Sequence, residues 1–361
     1  MLSFYKEAAW IWQVDGQEIT PLLLHFRPRY STSHKHQQLG NITMAPYYHC
    51  KIGAAAEIPV PNPTPVLSFS PVVLPSPGRP VDLQIRVSAP QSGSNLPIIL
   101  FSHGLGFSHW ISSHFAYTPL SDFWASRGFV VIQPTHLDSH FLGLEGKDAS
   151  WESRAKDMVQ ILDQIDDIEK SVPTLKGRLN KDKIAIAGHS MGAFTADLLL
   201  GANNKDPRDG KITKQADPRI KAGVILAGSG VGEDVAEGFK SMLPYYGPQF
   251  DTMTTPALVV YGDEDNLPLT TRGSDWFTDP YKLSPSPKAL LAIKGAKHGL
   301  GGVGSWNTAD ADNENPERLG TVQKMTWAYL WSQLYDDGGD AWGKAVEAMR
   351  GLDQLGSIEI K

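Results

Sequence analysis

Apolar positions in this chain fall into two kinds of run. In "VDLQIRV", Val81, Leu83, Ile85 and Val87 alternate with Asp82, Gln84 and Arg86. Successive side chains of a strand point to opposite faces, so this spacing predicts a half-buried, antiparallel strand. Other apolar runs are short and continuous: "IILF" (98–101), "FVVIQ" (129–133), "IAIAG" (184–188), "GVILAG" (223–228), "ALVVYG" (257–262) and "ALLAI" (289–293). Runs without alternation suit parallel strands covered on both faces.

Helical spacing separates some of these runs. "TPLSDFWASRG" predicts a helix with Thr118 as N-cap, Pro119 at the first helical position and Gly128 past the end; Leu120, Phe123 and Trp124 share a face. In "AKDMVQILDQIDDI", Met158, Ile161, Leu162, Ile165 and Ile168 form one stripe. "WAYLWSQLY" (327–335) reads as a closing helix, and the tail beyond Asp340 as a further one. This strand–helix alternation predicts an α/β fold, a mostly parallel doubly wound sheet of about eight strands with helices on both faces. In such sheets function collects beyond the carboxyl ends of the strands.

Residues 1–63 follow neither pattern. A polar, His-bearing stretch (30–38) is followed by "EIPVPNPTP", whose prolines resist both helix and sheet interior. The expectation is an extension that wraps the main domain (64–361) or is partly mobile. Residues 229–254 join two strands and are expected to form a small lid.

One strand ends in chemistry. "KIAIAGHSMGAF" places Ser190 between Gly188 and Gly192, at a strand-to-helix turn. Such a turn strains the serine backbone and lifts its hydroxyl above the sheet, while the glycines remove clashing Cβ atoms. The alternative for Ser190 is an N-cap without chemistry. A nucleophilic serine needs a base, and the base an orienting carboxylate. After "ALVVYG" come Asp263, Glu264 and Asp265; after "ALLAI" comes His298 in a glycine-rich turn. Asp265, three residues past Gly262, is favoured as the acid over Asp263, which is closer to the strand and able to pair locally. The backbone N–H of Met191 and, from "SHGLG" after the earlier strand, that of Leu105 are the candidate oxyanion donors.

The motifs "LFSHGLG" and "GHSMG", with the chain order Ser, Asp, His, resemble the α/β-hydrolase superfamily over residues 80–336. More narrowly they resemble platelet-activating-factor acetylhydrolases and their dienelactone-hydrolase-like relatives; the elbow is also similar to that of cutinases. The resemblance implies an α/β-hydrolase fold, a triad of Ser190, Asp265 and His298, and an oxyanion hole at Leu105 and Met191. Ala193 departs from the acetylhydrolase pattern, where a second glycine follows the elbow.

Phe107 and Trp110 near the oxyanion loop, with Trp276, Phe277 and Trp306 after the acid and the base, suggest an aromatic-walled substrate site; core filling is the alternative. His136, Asp138 and His140 fit no standard metal spacing and read as pocket lining or a local network. The oxygens of "DADNEN" (310–315) lack calcium-loop grammar. No metal and no cofactor is expected.

Bulk properties narrow the partners. A net charge of -6 leaves no cationic excess for nucleic acid, and no apolar run of about 18 residues spans a membrane. The N-terminal stretch lacks a secretory h-region, and the single cysteine, Cys50, forms no intrachain disulfide, so the expected location is cytoplasmic. The expected partner is a small-molecule or lipid-like ester, and the oligomeric state stays open. The expectation is a serine carboxylic-ester hydrolase working through an acyl-enzyme, with acetylhydrolase, lipase-type or polyester substrates as variants and a non-catalytic binding protein as the other class.

Overall fold

The computed structural model describes residues 51–144, 151–304, 314–336 and 340–361. In chain order the strands are β1 (Val66–Leu74), β2 (Leu83–Pro90), β3 (Leu96–Ser102), β4 (Val130–Pro134), β5 (Leu179–His189) and β6 (Asn203–Lys205). They continue as β7 (Ile212–Lys214), β8 (Ile220–Leu226), β9 (Pro248–Gln249), β10 (Ala257–Gly262), β11 (Lys288–Ile293) and β12 (Gly356–Ile360). The helices are α1 (Thr118–Ala125), α2 (Trp151–Asp163), α3 (Ile165–Ser171), α4 (Met191–Leu199), α5 (Glu237–Lys240), α6 (Asp279–Lys282), α7 (Pro316–Leu334) and α8 (Ala341–Arg350).

Nine strands form one sheet in the order β1-β2-β4-β3-β5-β8-β10-β11-β12, and β7-β6-β9 form a small second one. From β4 to β11 the main sheet is parallel; β2 runs antiparallel to both its neighbours β1 and β4 at one edge, and β12 antiparallel to β11 at the other. The period of two divides the parallel strands between two cores. Ile99, Phe101, Ala185, Ala187, Val224 and Val260 face α1, α7 and α8. Ile98, Leu100, Ile184, Ile186, Ile225 and Val259 face α2, α3 and α4. Helices on both sides leave no solvent face, which is why these strands read as unbroken apolar runs. Each buried Val, Leu or Ile contributes about 1.5–3 kcal/mol relative to exposure.

Several expectations are corrected. Strand β2 is not half-buried: β1 and β4 flank it, and Arg86 is covered, donating to Asp122 (2.9 Å), Ser68 (3.0 Å) and Thr118 (3.2 Å). At Arg86 an ion pair with Asp122 satisfies the charge, while Asp82 is exposed and Gln84 half-buried. The N-cap of α1 is Tyr117, in the left-handed region at φ 66°, and Thr118 is the first helical residue, its Oγ1 donating to the Phe115 carbonyl. The stripe from Met158 to Ile168 is buried throughout but divides at Gln164 into α2 and α3. The tail beyond Asp340 supplies α8 and then β12, an edge strand too exposed to announce itself by apolar spacing.

Of the proline-rich N-terminal region, residues 1–50 lie outside the described residues. Residues 51–63 lie against α7 and α1. Ala55 and Ile58 are buried, Lys324 Nζ donates to the carbonyls of Ala56 (3.0 Å) and Ile58 (2.8 Å), and Arg127 Nε donates to that of Pro61 (3.1 Å). Gly53–Glu57 form a short 3-10 turn whose Ala54 N–H donates to Glu317 (2.7 Å), and the prolines follow in the irregular stretch after it, where their missing N–H groups cost nothing. In the segment expected to be a lid, Tyr246 is buried and its hydroxyl bonds the carbonyls of Ser229 and Gly230. Arg272 pairs with Asp234 at 2.9 Å, tying the same segment to the layer after β10.

Candidate active site

The chain leaves β5 at His189 and enters α4 at Met191, so Ser190 makes the whole turn. It adopts φ 55° and ψ -121°, a region costly for any residue with a side chain, and its hydroxyl makes no capping hydrogen bond to α4. The N-cap alternative therefore finds no support. Both flanking glycines are required by close approach. A Cβ on Gly192 would fall on the carbonyl of Ser102, and one on Gly188 on the carbonyl of Gly192. The first turn of α4 thus lies against the end of β3, where a doubly wound sheet opens its crevice.

The loops after β10 and β11 carry the candidate acid and base, Asp265 and His298. His298 Nδ1 lies 2.8 Å from Asp265 Oδ2; Asp265 is 1% exposed and the His298 side chain 12%. A carboxylate only accepts, so Nδ1 carries a proton, and in the neutral ring Nε2 is the acceptor. Asp263 is engaged elsewhere: its Oδ1 accepts the Gly295 N–H at 2.6 Å, closing the turn before His298. Of the two acids, Asp265 is the one bonded to the imidazole.

The loop after β3 is built from three directions. Arg154 donates to the carbonyls of His103 (2.6 Å) and Gly104 (2.9 Å). The Gly104 N–H donates to Tyr117 Oη at 3.0 Å, and that hydroxyl bonds His189 Nδ1 at 2.9 Å. His189 Nε2 faces the His298 carbonyl at 2.8 Å. That oxygen only accepts, so His189 carries a proton at Nε2, and in the neutral ring Nδ1 accepts from Tyr117 Oη. Met191 opens α4, and the first N–H groups of a helix have no intrahelical partner.

Behind the loop lies a buried polar network. His103 donates from Nδ1 to the Gly104 carbonyl (2.6 Å) and accepts the His136 N–H at Nε2 (3.0 Å). His136 bonds Ser102 and Asp157, both at 2.9 Å, and Arg79 pairs with Asp157 at 3.0 Å. Burial, followed by the Arg154 charge, holds both histidines well below the ordinary imidazole value, so they are neutral. Burial raises Asp157 to about 6, against the pull of Arg79. His136 is thus committed to this local network, and Asp138 to Arg154 at 2.7 Å. Among the described residues no group of three or more His, Cys, Asp or Glu is arranged to hold a metal ion.

The aromatic residues divide. Phe107 (49% exposed) and Trp110 (89%) stand in the open beside the loop after β3. Trp276 does not line a surface: it is fully buried, its Nε1 donating to the Val231 carbonyl at 2.9 Å. Phe277 is buried too, its ring 5.7 Å from that of His298. Trp306 lies outside the described residues. Sequence reasoning missed Trp151 and Tyr245, stacked at 5.4 Å and packed with Met191 around Phe194. It also missed Tyr117 and Arg154. The available signal for Arg154 was its place one turn before Met158, a charge at a buried position of the apolar stripe of α2.

A model of the alpha/beta hydrolase family matches residues 99–352. No curated protein matches the chain by sequence. No helix among the described residues is long and apolar enough to cross a membrane.

Proposed function

We propose that this chain, which belongs to the alpha/beta hydrolase family, is a serine hydrolase that cleaves carboxylic esters through an acyl-enzyme. The observation that carries this reading is the Asp265–His298 hydrogen bond in company with a strained Ser190 whose hydroxyl does not cap its helix. In this reading Asp265 fixes the tautomer of His298, whose Nε2 accepts the Ser190 proton as Oγ attacks the ester carbonyl. The N–H groups of Met191 and Leu105 receive the developing oxyanion. His298 returns the proton to the leaving alcohol, and then activates water to release the acid.

The substrate is a neutral ester with an apolar portion. The exposed Phe107 and Trp110 and the Trp151–Tyr245 stack near Met191 support this preference. The resemblance of "LFSHGLG" and "GHSMG" to acetylhydrolases and cutinases makes acetyl, lipid-type and polyester substrates the first to try.

An active-site-directed fluorophosphonate tests the reading. Labelling of the folded protein that disappears in Ser190→Ala is the expected result; a folded protein that takes no label is instead a binding protein on a hydrolase scaffold. A chain-length series of p-nitrophenyl esters then measures the acyl pocket.

A further inference from the structure

Arg154 is 1% exposed, on α2, and its partners His103, Gly104 and Asp138 belong to the loops that end β3 and β4. Nη1 donates to the His103 carbonyl (2.6 Å), Nη2 to the Gly104 carbonyl (2.9 Å) and Nε to Asp138 Oδ2 (2.7 Å). A guanidinium is a rigid planar fork, so two consecutive carbonyls are held toward one side of the loop. In a trans peptide the N–H points opposite to the C=O. The Gly104 carbonyl faces Arg154, and the Leu105 N–H therefore points away from it. The preceding peptide obeys the same geometry: the His103 carbonyl faces Arg154, and the Gly104 N–H points to Tyr117, which bonds His189, the neighbour of Ser190. The N–H side of the loop thus faces His189, the residue before Ser190.

We infer that Arg154 is a positioning residue that aims the Leu105 N–H at the oxyanion and, by its fixed charge on the Gly104 carbonyl, strengthens that donor. The inference rests on the esterase reading of Ser190. Polarising a carbonyl makes the N–H of the same peptide a better donor, most of all where water is excluded. The supporting parts are all present. His103 gives the Gly104 carbonyl a second hydrogen bond, so both of its lone pairs are engaged. Asp138 keeps Arg154 paired: burial, the largest single influence, would raise that acid, but the Arg154 charge and hydrogen bond, together with His103 and His136, hold the carboxyl below its ordinary value.

Two variants test this. Arg154→Met removes charge and fork; Arg154→Lys keeps the charge but cannot span two carbonyls in a plane. With active sites counted by fluorophosphonate labelling, kcat per site should fall about 100-fold in Arg154→Met and by a smaller factor in Arg154→Lys. KM should stay within about threefold, since the interaction matters in the transition state and not in the ground state. A trifluoromethyl ketone, which adds Ser190 to give a charged tetrahedral adduct, should lose affinity by the same factor as kcat/KM. A merely structural role would lower stability and the number of labelled sites while leaving kcat per site unchanged, and that result overturns the inference. Should Arg154→Met not fold, Arg154→Lys decides by the same criterion. Wild-type protein that takes no label overturns the esterase reading and this inference with it; a labelled wild type with indifferent variants overturns this inference alone.

Discussion

His189 Nε2 donates to the main-chain carbonyl of His298 across 2.8 Å, so the residue before Ser190 holds the backbone of the residue that pairs with Asp265. Through Nδ1 the same imidazole reaches Tyr117 Oη, and through that hydroxyl the Gly104 N–H. One buried ring thereby ties together the loops that end β3, β5 and β11. Relative placement of those loops is what acyl transfer requires, since a misplacement of about 1 Å costs on the order of 100-fold in rate.

Tyr117→Phe removes only the hydroxyl and leaves the Gly104 N–H and His189 Nδ1 buried without that partner. The expected loss is about 1–3 kcal/mol of unfolding free energy. Urea unfolding followed by circular dichroism measures it. An unchanged midpoint would mean that another group takes over the bond.

The two acids after β10 should behave differently. Asp265→Asn is expected to lower kcat by about 10,000-fold, as loss of the carboxylate frees the wrong imidazole tautomer. Asp263 bonds only the Gly295 N–H among the partners above, so Asp263→Asn should change kcat by less than about tenfold. Steady-state hydrolysis of a p-nitrophenyl ester separates the two, and the reverse ranking would contradict the assignment of the acid.

Close approach at the elbow makes a methyl group intolerable. Gly192→Ala would drive Cβ into the carbonyl of Ser102, and backbone cannot yield as a side chain can. A loss of at least about 3 kcal/mol is expected, visible as a lowered melting temperature or lost soluble protein. Gly238→Ala, where nothing lies within 4 Å of the added atom, is the matched control and should be near neutral.

Asp197 is fully buried on α4, and among the described residues neither of its carboxylate oxygens has a hydrogen-bond partner. Burial pushes its pKa well above the ordinary carboxyl value, with Lys288 acting weakly against it. The folded protein keeps a proton that the unfolded chain releases above about pH 4, so this group's effect on stability grows more unfavourable as pH rises from there toward the folded value. Asp197→Asn keeps the shape and abolishes the titration. Its unfolding free energy relative to wild type should therefore increase between about pH 5 and pH 8. Thermal melts at several pH values check this, and a pH-independent difference would show that Asp197 is ionised in the folded protein.

Much of the parallel sheet was legible because strand burial is a local property. A strand covered on both faces must be apolar at every position, and "IILF", "IAIAG" and "ALVVYG" are. The "VDLQIRV" run misled for the complementary reason. Alternation reports polarity, not exposure, and Arg86 is polar yet enclosed by Asp122 on α1. Trp276 misled as a wall residue because its position after Asp265 says nothing about which way the ring turns; Val231, 45 residues away, accepts its N–H and draws it inward.

The sequence by itself determined the parallel strands of the main sheet, the buried stripe that becomes α2 and α3, and where a serine, an acid and a histidine leave the sheet. Spacing along a chain encodes period and order, and those are the quantities such features depend on. Only the tertiary structure decided what holds the site together: Arg154 reaches back 51 residues to His103, Tyr117 forward 72 to His189, and His189 forward 109 to His298. Hydrogen bonds between groups so far apart follow from the packing of whole layers, and no periodicity within either segment carries them.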